Sequence, residues 1–197
     1  MTNDAAFEYF ETRDPFLLAR YRELRRRVYL KEYPWLPEHF GIEDEIDRVS
    51  RTVVAARNGV VAGGARLTIS TPESDRALPL EENSFRLRNC PKFGDLHLDR
   101  RPYGEISRMA ADPACGRAFE VSTGVGDALC AIAAREGLDI VFSICPELPA
   151  RINQRNARRR GVDFQRHMEL STAYGVKMWL CSFSGLLSVY KAWEDAA

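Results

Sequence analysis

The apolar positions of this chain fall into alternating and helical runs that predict an ordered series of strands and helices. Residues 6–12 alternate well enough for a first strand. Asp14-Pro15 then supplies an N-cap followed by proline at the first helical position. Beyond it Leu17, Tyr21, Leu24 and Val28 recur at helical spacing, beside a stripe of Leu18, Arg22, Arg25 and Tyr29. That stripe carries Arg25 to the edge of the apolar face and leaves Arg26 and Arg27 toward solvent. Residues 32–50 have no period, contain Pro34, Trp35, Pro37 and the acidic run Glu43-Asp44-Glu45-Ile46-Asp47, and read as a long ordered loop. Loops of that length inside a compact domain usually carry function or are disordered, and Trp35 favours the first. Residues 51–57 and 60–70 read as strands joined by Asn58-Gly59, a strong hairpin signal. Residues 71–102 are irregular, with a short helix expected at 80–87.

The segment from Tyr103 to Pro113 reads as the central strand. Alternation puts Glu105 and Ser107 on one face and Ile106 and Arg108 on the other. A carboxylate and a guanidinium buried there without partners would be strongly unfavourable. The strand therefore needs partners elsewhere, or a bulge that turns both charges into one polar site. Arg25, Asp44, Asp47 and Arg66 are candidates for a compact charge cluster with Glu105 and Arg108. Further on, an apolar helix is expected to open at Ser122-Thr123-Gly124-Val125-Gly126 and to stop at Gly137. A buried strand over 139–145, a helix over 147–160, antiparallel strands over 162–170 and 173–183, and a closing helix over 185–195 complete the order. This order predicts a mixed-sheet α/β sandwich. No Gly-x-Gly-x-x-Gly follows the first strand and no Walker-type lysine motif occurs, which argues against two nucleotide-binding folds.

At 197 residues and 45% hydrophobic content the chain fits a single domain, 1–197, with its own core. Lysine plus arginine equals aspartate plus glutamate, so no overall field draws nucleic acid or an anionic membrane. Cys90, Cys115, Cys130, Cys145 and Cys181 form no Cys-x-x-Cys pair, an argument against a zinc site or disulfide framework and for a reducing compartment. His39, His97 and His167 share no metal spacing. With a polar start and no apolar run long enough to span a bilayer, the expectation is a cytoplasmic protein without a membrane partner.

Taken in order, Leu24-Arg25-x-x-Val28-Tyr29, Trp35, Asp44-x-x-Asp47, Gly64-x-Arg66-Leu67 and Glu105-Ile106-Ser107-Arg108 resemble the acyl-homoserine-lactone synthases, LuxI-type autoinducer synthases of the GNAT acyltransferase fold. The resemblance covers roughly half of the chain, and its strength lies in the order of five individually weak motifs. It implies a three-layer α/β sandwich with helices on both faces of a mostly antiparallel sheet opened by a V-shaped cleft. It implies catalytic roles for Glu105, Arg108, Arg66 and Asp47, and an S-adenosylmethionine site at Arg25, Tyr29, Trp35, Asp44 and Asp47. Tyr29 stands where the family usually has phenylalanine, and its hydroxyl needs a partner if buried. Ser107, Phe142 and Ser143 are assigned to the acyl or pantetheine arm, although core packing explains Phe142 as well. Arg151, Arg155 and Arg159 lie on one helical face suited to an acidic acyl carrier protein, while cations there also complement a helix dipole. The family's pyrophosphate loop has its nearest spacing at residues 121–126, with Val121 at the usual polar position.

The activity implied is synthesis of a quorum-sensing lactone from S-adenosylmethionine and an acyl carrier protein or coenzyme A thioester. No permanently bound cofactor or metal is expected. Two alternatives stay open: an N-acyl amino acid synthase or other GNAT N-acyltransferase, and a non-catalytic module that binds an acyl carrier protein.

Overall fold

The computed structural model of the chain describes residues 5–39, 43–74, 76–81, 86–171 and 177–194. Seven strands form one sheet in the order β1-β2-β3-β4-β5-β7-β6. They are β1 (Glu8–Thr12), β2 (Arg51–Arg57), β3 (Val60–Ser70), β4 (Tyr103–Ala111), β5 (Ile140–Cys145), β6 (Asp163–Ser171) and β7 (Lys177–Ser184). The helices are α1 (Pro15–Glu32), α2 (Glu45–Val49), α3 (Ala118–Arg135), α4 (Glu147–Arg160) and α5 (Leu186–Glu194). The β1–β2, β5–β7 and β6–β7 ladders are antiparallel, and β4–β5 is parallel, with Gly104 opposite Val141 and Glu105 opposite Phe142. This is the mixed, mostly antiparallel α/β sheet that the order of elements predicts. The chain divides into two compact units, 1–66 with 108–129 and 67–107 with 130–197.

In the first unit the core is Tyr21, Leu24, Val54, Val61 and Ala110, with Leu17 and Val28 against it. The helical spacing of Leu17, Tyr21, Leu24 and Val28 is thus what seats α1 on the strands. Gly63 and Gly64 explain how a helix can lie close on each side of β3. A Cβ on Gly63 would stand 2.4 Å from Val121 of α3, and one on Gly64 would stand 2.8 Å from the Tyr21 ring of α1. Neighbouring residues of a strand point to opposite faces, so α1 and α3 occupy opposite faces of this unit's strands. Asp14 caps α1 as expected, accepting from the N–H of Phe16 at 2.8 Å.

In the second unit Tyr103, Ile140, Phe142 and Leu180 pack against Leu78, Leu87, Phe93 and Leu98 from the irregular segment. Cys181, the neighbour of Leu180, faces the other way, into Cys145 and Ala150 of α4. The strand and helix boundaries agree with the sequence reading within a few residues over α1, β2, β3, β5, α4, β6 and α5. Residues 173–176 of the expected last strand, and Asp195, lie outside the described residues.

Three expectations change. The long loop contains a helix, α2, because Asp44 and Asp47 build a reciprocal capping box that starts it. Of the short helix expected at 80–87, residues 82–85 lie outside the described residues, and the described residues on either side form 3-10 turns at Pro79–Glu81, Leu87–Asn89 and Pro91–Leu96. The third change concerns α3, which begins at Ala118. Gly124 and Gly126 therefore lie inside the helix, and the glycine spacing at 121–126 is not a loop at a helix start. Gly124 is there for packing: a Cβ would come within 2.3 Å of the Tyr9 ring.

Candidate active site

Arg25, Asp44, Asp47, Arg66 and Arg108 meet in one ion cluster within the first unit. The helical stripe turns Arg25 fully inward, with its guanidinium 5.4 Å from the centre of the Tyr21 ring. Asp47 is the hub. Its Oδ1 and Oδ2 accept from Arg25 Nη1 at 3.1 Å and Nη2 at 2.9 Å, and Oδ1 also accepts from Arg66 Nη1 at 2.7 Å. The same residue closes the capping box of α2, so one carboxylate both starts a helix and neutralises two buried cations. Asp44 accepts from Arg66 and, at 3.2 Å, from Arg108 Nη2.

Burial by itself would raise the carboxyl pKa of Asp47, but hydrogen bonds and charge from Arg25 and Arg66 outweigh it and hold the group at about 2. The Asp44 carboxyl is likewise depressed, burial opposing and Arg66 prevailing. Arg25 and Arg66 are 0% and 1% exposed, whereas the Asp44 and Arg108 side chains are 32% and 25% exposed. The second pair therefore keeps a face open to a ligand while remaining part of the cluster, as does Arg22, which lies 3.8 Å from Asp47 and is 21% exposed.

The backbone of β4 breaks its extended form at Arg108, whose φ is +59°. A non-glycine residue in this left-handed region is uncommon and signals a site held by its surroundings. The holding groups are two phenols of α1. Tyr21 Oη donates to the Arg108 carbonyl at 2.5 Å, and Tyr29 Oη donates to the Met109 carbonyl at 3.1 Å. Burial raises the pKa of both phenols, which keeps them as donors. The partner that the Tyr29 hydroxyl requires is thus the carbonyl beside the kink. Trp35 is 60% exposed and meets Tyr33 edge to face at 5.7 Å, so it is not core filling.

Glu105 belongs to the second unit. It is buried, and its Oε2 accepts from the backbone N–H of Leu80 at 2.7 Å. Ser107 is half-buried. Phe142 is fully buried against Phe93 and Tyr103, with ring centres at 5.6 and 6.3 Å. Ser143 points to the opposite face, and its buried Oγ has no hydrogen-bond partner among the described residues. Arg151, Arg155 and Arg159 are exposed along α4, with Arg151 paired to Glu147 at 2.7 Å.

Two features escaped the sequence reading. One is a cavity of about 520 Å3 lined by Arg27, Val28, Lys31, Glu32, Asp112, Pro113 and Ala114, with Arg27 and Asp112 paired across it at 2.7 Å. Neither the arginine run nor the Asp-Pro pair signals the other, because 85 residues separate them. The other is Glu81, a buried carboxylate in the irregular segment. Its one sequence signal is an acid set within Leu78-Pro79-Leu80. Among the described residues no group of three His, Cys, Asp or Glu is placed to hold a metal, and no helix is long and apolar enough to cross a membrane.

No protein-family model matches the chain, and no curated protein matches its sequence. Solved structures do match in fold. FeeM, an N-acyl amino acid synthase from uncultured soil microbes, aligns with a TM-score of 0.68 at 10% identity, over 95% of this chain and 94% of FeeM. The acyl-homoserine-lactone synthase LasI aligns at 0.64 and 16% identity, over 95% and 96%. The coenzyme A-dependent acyl-homoserine lactone synthase BjaI, solved with S-adenosylmethionine and isopentyl-CoA, aligns at 0.64 and 14% identity, over 98% and 89%. The chain therefore has the acyltransferase fold shared by these enzymes over nearly its whole length.

Proposed function

We propose that this protein acylates the α-amine of S-adenosylmethionine from an acyl thioester and closes the product to an acyl-homoserine lactone, releasing methylthioadenosine. The observation that carries this reading is the ion cluster of Arg25, Arg66 and Arg108 with Asp44 and Asp47, joined by Arg22 at 3.8 Å from Asp47, with Arg108 and Asp44 partly open. An amino acid presents one carboxylate and one ammonium, and that open pair matches both. Asp47 and Arg25 are too fully engaged with one another to bind substrate directly, so their part is to fix Asp44 and Arg66. Trp35 offers an exposed ring face to the sulfonium. Val28 and Lys31 follow Arg25 by about 5 and 9 Å along the helix axis, which makes the cavity they line a suitable place for the adenosine.

The α-amine has a pKa of roughly 8, so a modest base suffices to free it at neutral pH. Glu105, on its place in the motif Glu105-Ile106-Ser107-Arg108 that resembles the synthase family, is the base proposed to take that proton through a water. The nitrogen lone pair attacks the thioester carbon, the oxyanion is met by backbone N–H groups at the kink, and collapse expels the thiolate, which is protonated to the thiol. The methionine carboxylate then attacks its own γ-carbon. The bond from that carbon to the sulfonium breaks, and methylthioadenosine leaves as a neutral thioether. This second step is intramolecular, so holding the substrate folded supplies much of its rate.

Ser107, Phe142 and Ser143 are proposed to border the acyl and pantetheine arm, and the orphaned Ser143 hydroxyl is an available partner for it. Arg151, Arg155 and Arg159 are proposed to meet an acidic carrier protein. A second reading, N-acylation of an ordinary amino acid without lactone closure, is favoured by the fold match to FeeM.

The test is to give the purified protein S-adenosylmethionine and a panel of acyl carrier protein and coenzyme A thioesters. Methylthioadenosine with an acyl lactone is the expected product. Thiol release with free amino acids, and no methylthioadenosine, supports the second reading; no thiol release with any donor or amine removes both.

A further inference from the structure

We infer that Glu81 is a positioning residue for Glu105, acting through the turn Pro79–Glu81. The inference rests on the reading of Glu105 as the base, and its test separates the two. Glu81 is 2% exposed in a segment without regular structure, a costly place for a carboxylate unless hydrogen bonds answer it. They do. Oε2 accepts from Leu78 N–H at 2.8 Å, and Oε1 accepts from Leu87 N–H at 2.8 Å and from Tyr103 Oη at 2.9 Å. One side chain thereby ties Leu78 and Leu87 to Tyr103 of β4.

Between the two ends tied by Glu81 lies Leu80, whose N–H donates to Glu105 Oε2 at 2.7 Å. Tyr103 and Glu105 are two residues apart on one strand, so their side chains lie on the same face. The phenol that binds Glu81 and the carboxylate that binds Leu80 are thus neighbours on β4, and the turn is held by one acid while it orients the other. A backbone amide aimed at a carboxylate favours the ionised form, which is the form a base requires. An apolar residue at this position would strand the three donors that Glu81 answers, those of Leu78, Leu87 and Tyr103, and would release the turn that carries the Leu80 amide.

The experiment compares Leu80→Pro, which deletes the donating N–H, Glu81→Gln, which disturbs the turn that carries it, and Tyr103→Phe, which removes one of the ties. Folding of each is checked by circular dichroism and thermal denaturation. The primary readout is the carbon-13 NMR titration of the Glu105 carboxyl, which needs no substrate. Leu80→Pro is expected to raise its midpoint by about one pH unit, Glu81→Gln to move it in the same direction, and Tyr103→Phe less. The acid limb of the pH–rate profile with S-adenosylmethionine is expected to move up alongside, with KM for the thioester unchanged. A Glu105 midpoint that stays put in the folded variants overturns the inference; Tyr103→Phe keeps the test in hand if the other two do not fold. If the midpoint moves and yet Glu105→Gln turns over normally, the turn positions Glu105 and it is the base assignment that fails.

Discussion

Asp47 and Glu81 are both carboxylates withdrawn from water, and the two units of the molecule satisfy them with different chemistry. The Asp47 side chain is 5% exposed and is held by guanidiniums. That of Glu81 is 0% exposed and is held by two backbone amides and a phenol, with Arg86 approaching to 3.8 Å. Removing the first takes the bidentate partner from buried Arg25 and one of two carboxylates from Arg66, while removing the second mainly strands neutral donors, with Arg86 the one cation affected. The first arrangement suits a place where a charged ligand is exchanged against fixed counter-charges. The second suits a joint that must hold an irregular backbone in one shape.

The sharpest way to break this comparison is Asp47→Ala, which is expected to cost about 3–5 kcal/mol in thermal or denaturant unfolding, because buried Arg25 loses its bidentate carboxylate and Arg66 keeps only Asp44. Removing a cation as well, in Asp47→Ala with Arg25→Met, should recover part of that loss. A single-variant cost below about 1 kcal/mol would put the pair in the class of surface ion pairs and end the description of Asp47 as a hub.

Glu81→Ala should be milder, on the order of 1–3 kcal/mol, since the amide and phenol donors it strands are neutral and the one cation beside it, Arg86, is partly exposed. A larger loss than for Asp47→Ala would reverse the contrast. Acid titration sharpens it further. The Asp47 carboxyl is depressed from 3.8 to about 2, so its contribution is fully present above its unfolded pKa and is lost as pH falls from about 4 toward 2. That contribution is about 2 kcal/mol, and a stability profile flat through this window would contradict it.

Tyr29→Phe removes the hydroxyl bond to the Met109 carbonyl and should cost about 1 kcal/mol, with a rise in KM for S-adenosylmethionine if the kink at Arg108 loosens. The smallest effect is expected at Arg151→Ala. Its ion pair with Glu147 lies on an exposed helix face, so stability should change by less than about 1 kcal/mol. Any fall in activity should then be confined to carrier-linked donors and spare those carried on coenzyme A.

Much of the site is legible in the chain because local rules act on it. The spacing Tyr21, Arg25, Tyr29 places three polar-tipped side chains on one helix face whatever that helix packs against. The pattern Asp44-x-x-Asp47 is also a local device, although read as a loop it hides the helix it caps. Charges on the central strand announce that partners must exist. The glycine at 124 misleads, because a glycine that opens a turn and one that admits a neighbouring ring leave the same mark in sequence.

The sequence by itself determined the order of the strands and the long helices, the place of Arg25 at the edge of the apolar face of α1 and the need for counter-charges around Arg108. Periodicity and charge are properties of a short stretch, and those conclusions need nothing more. Only the tertiary structure decided that Asp47 is the hub of the cluster, that two phenols hold the kink at Arg108, and that Glu81 ties an irregular segment to β4. Each of these joins residues distant along the chain through hydrogen bonds a few ångströms long, and no local pattern encodes such a meeting.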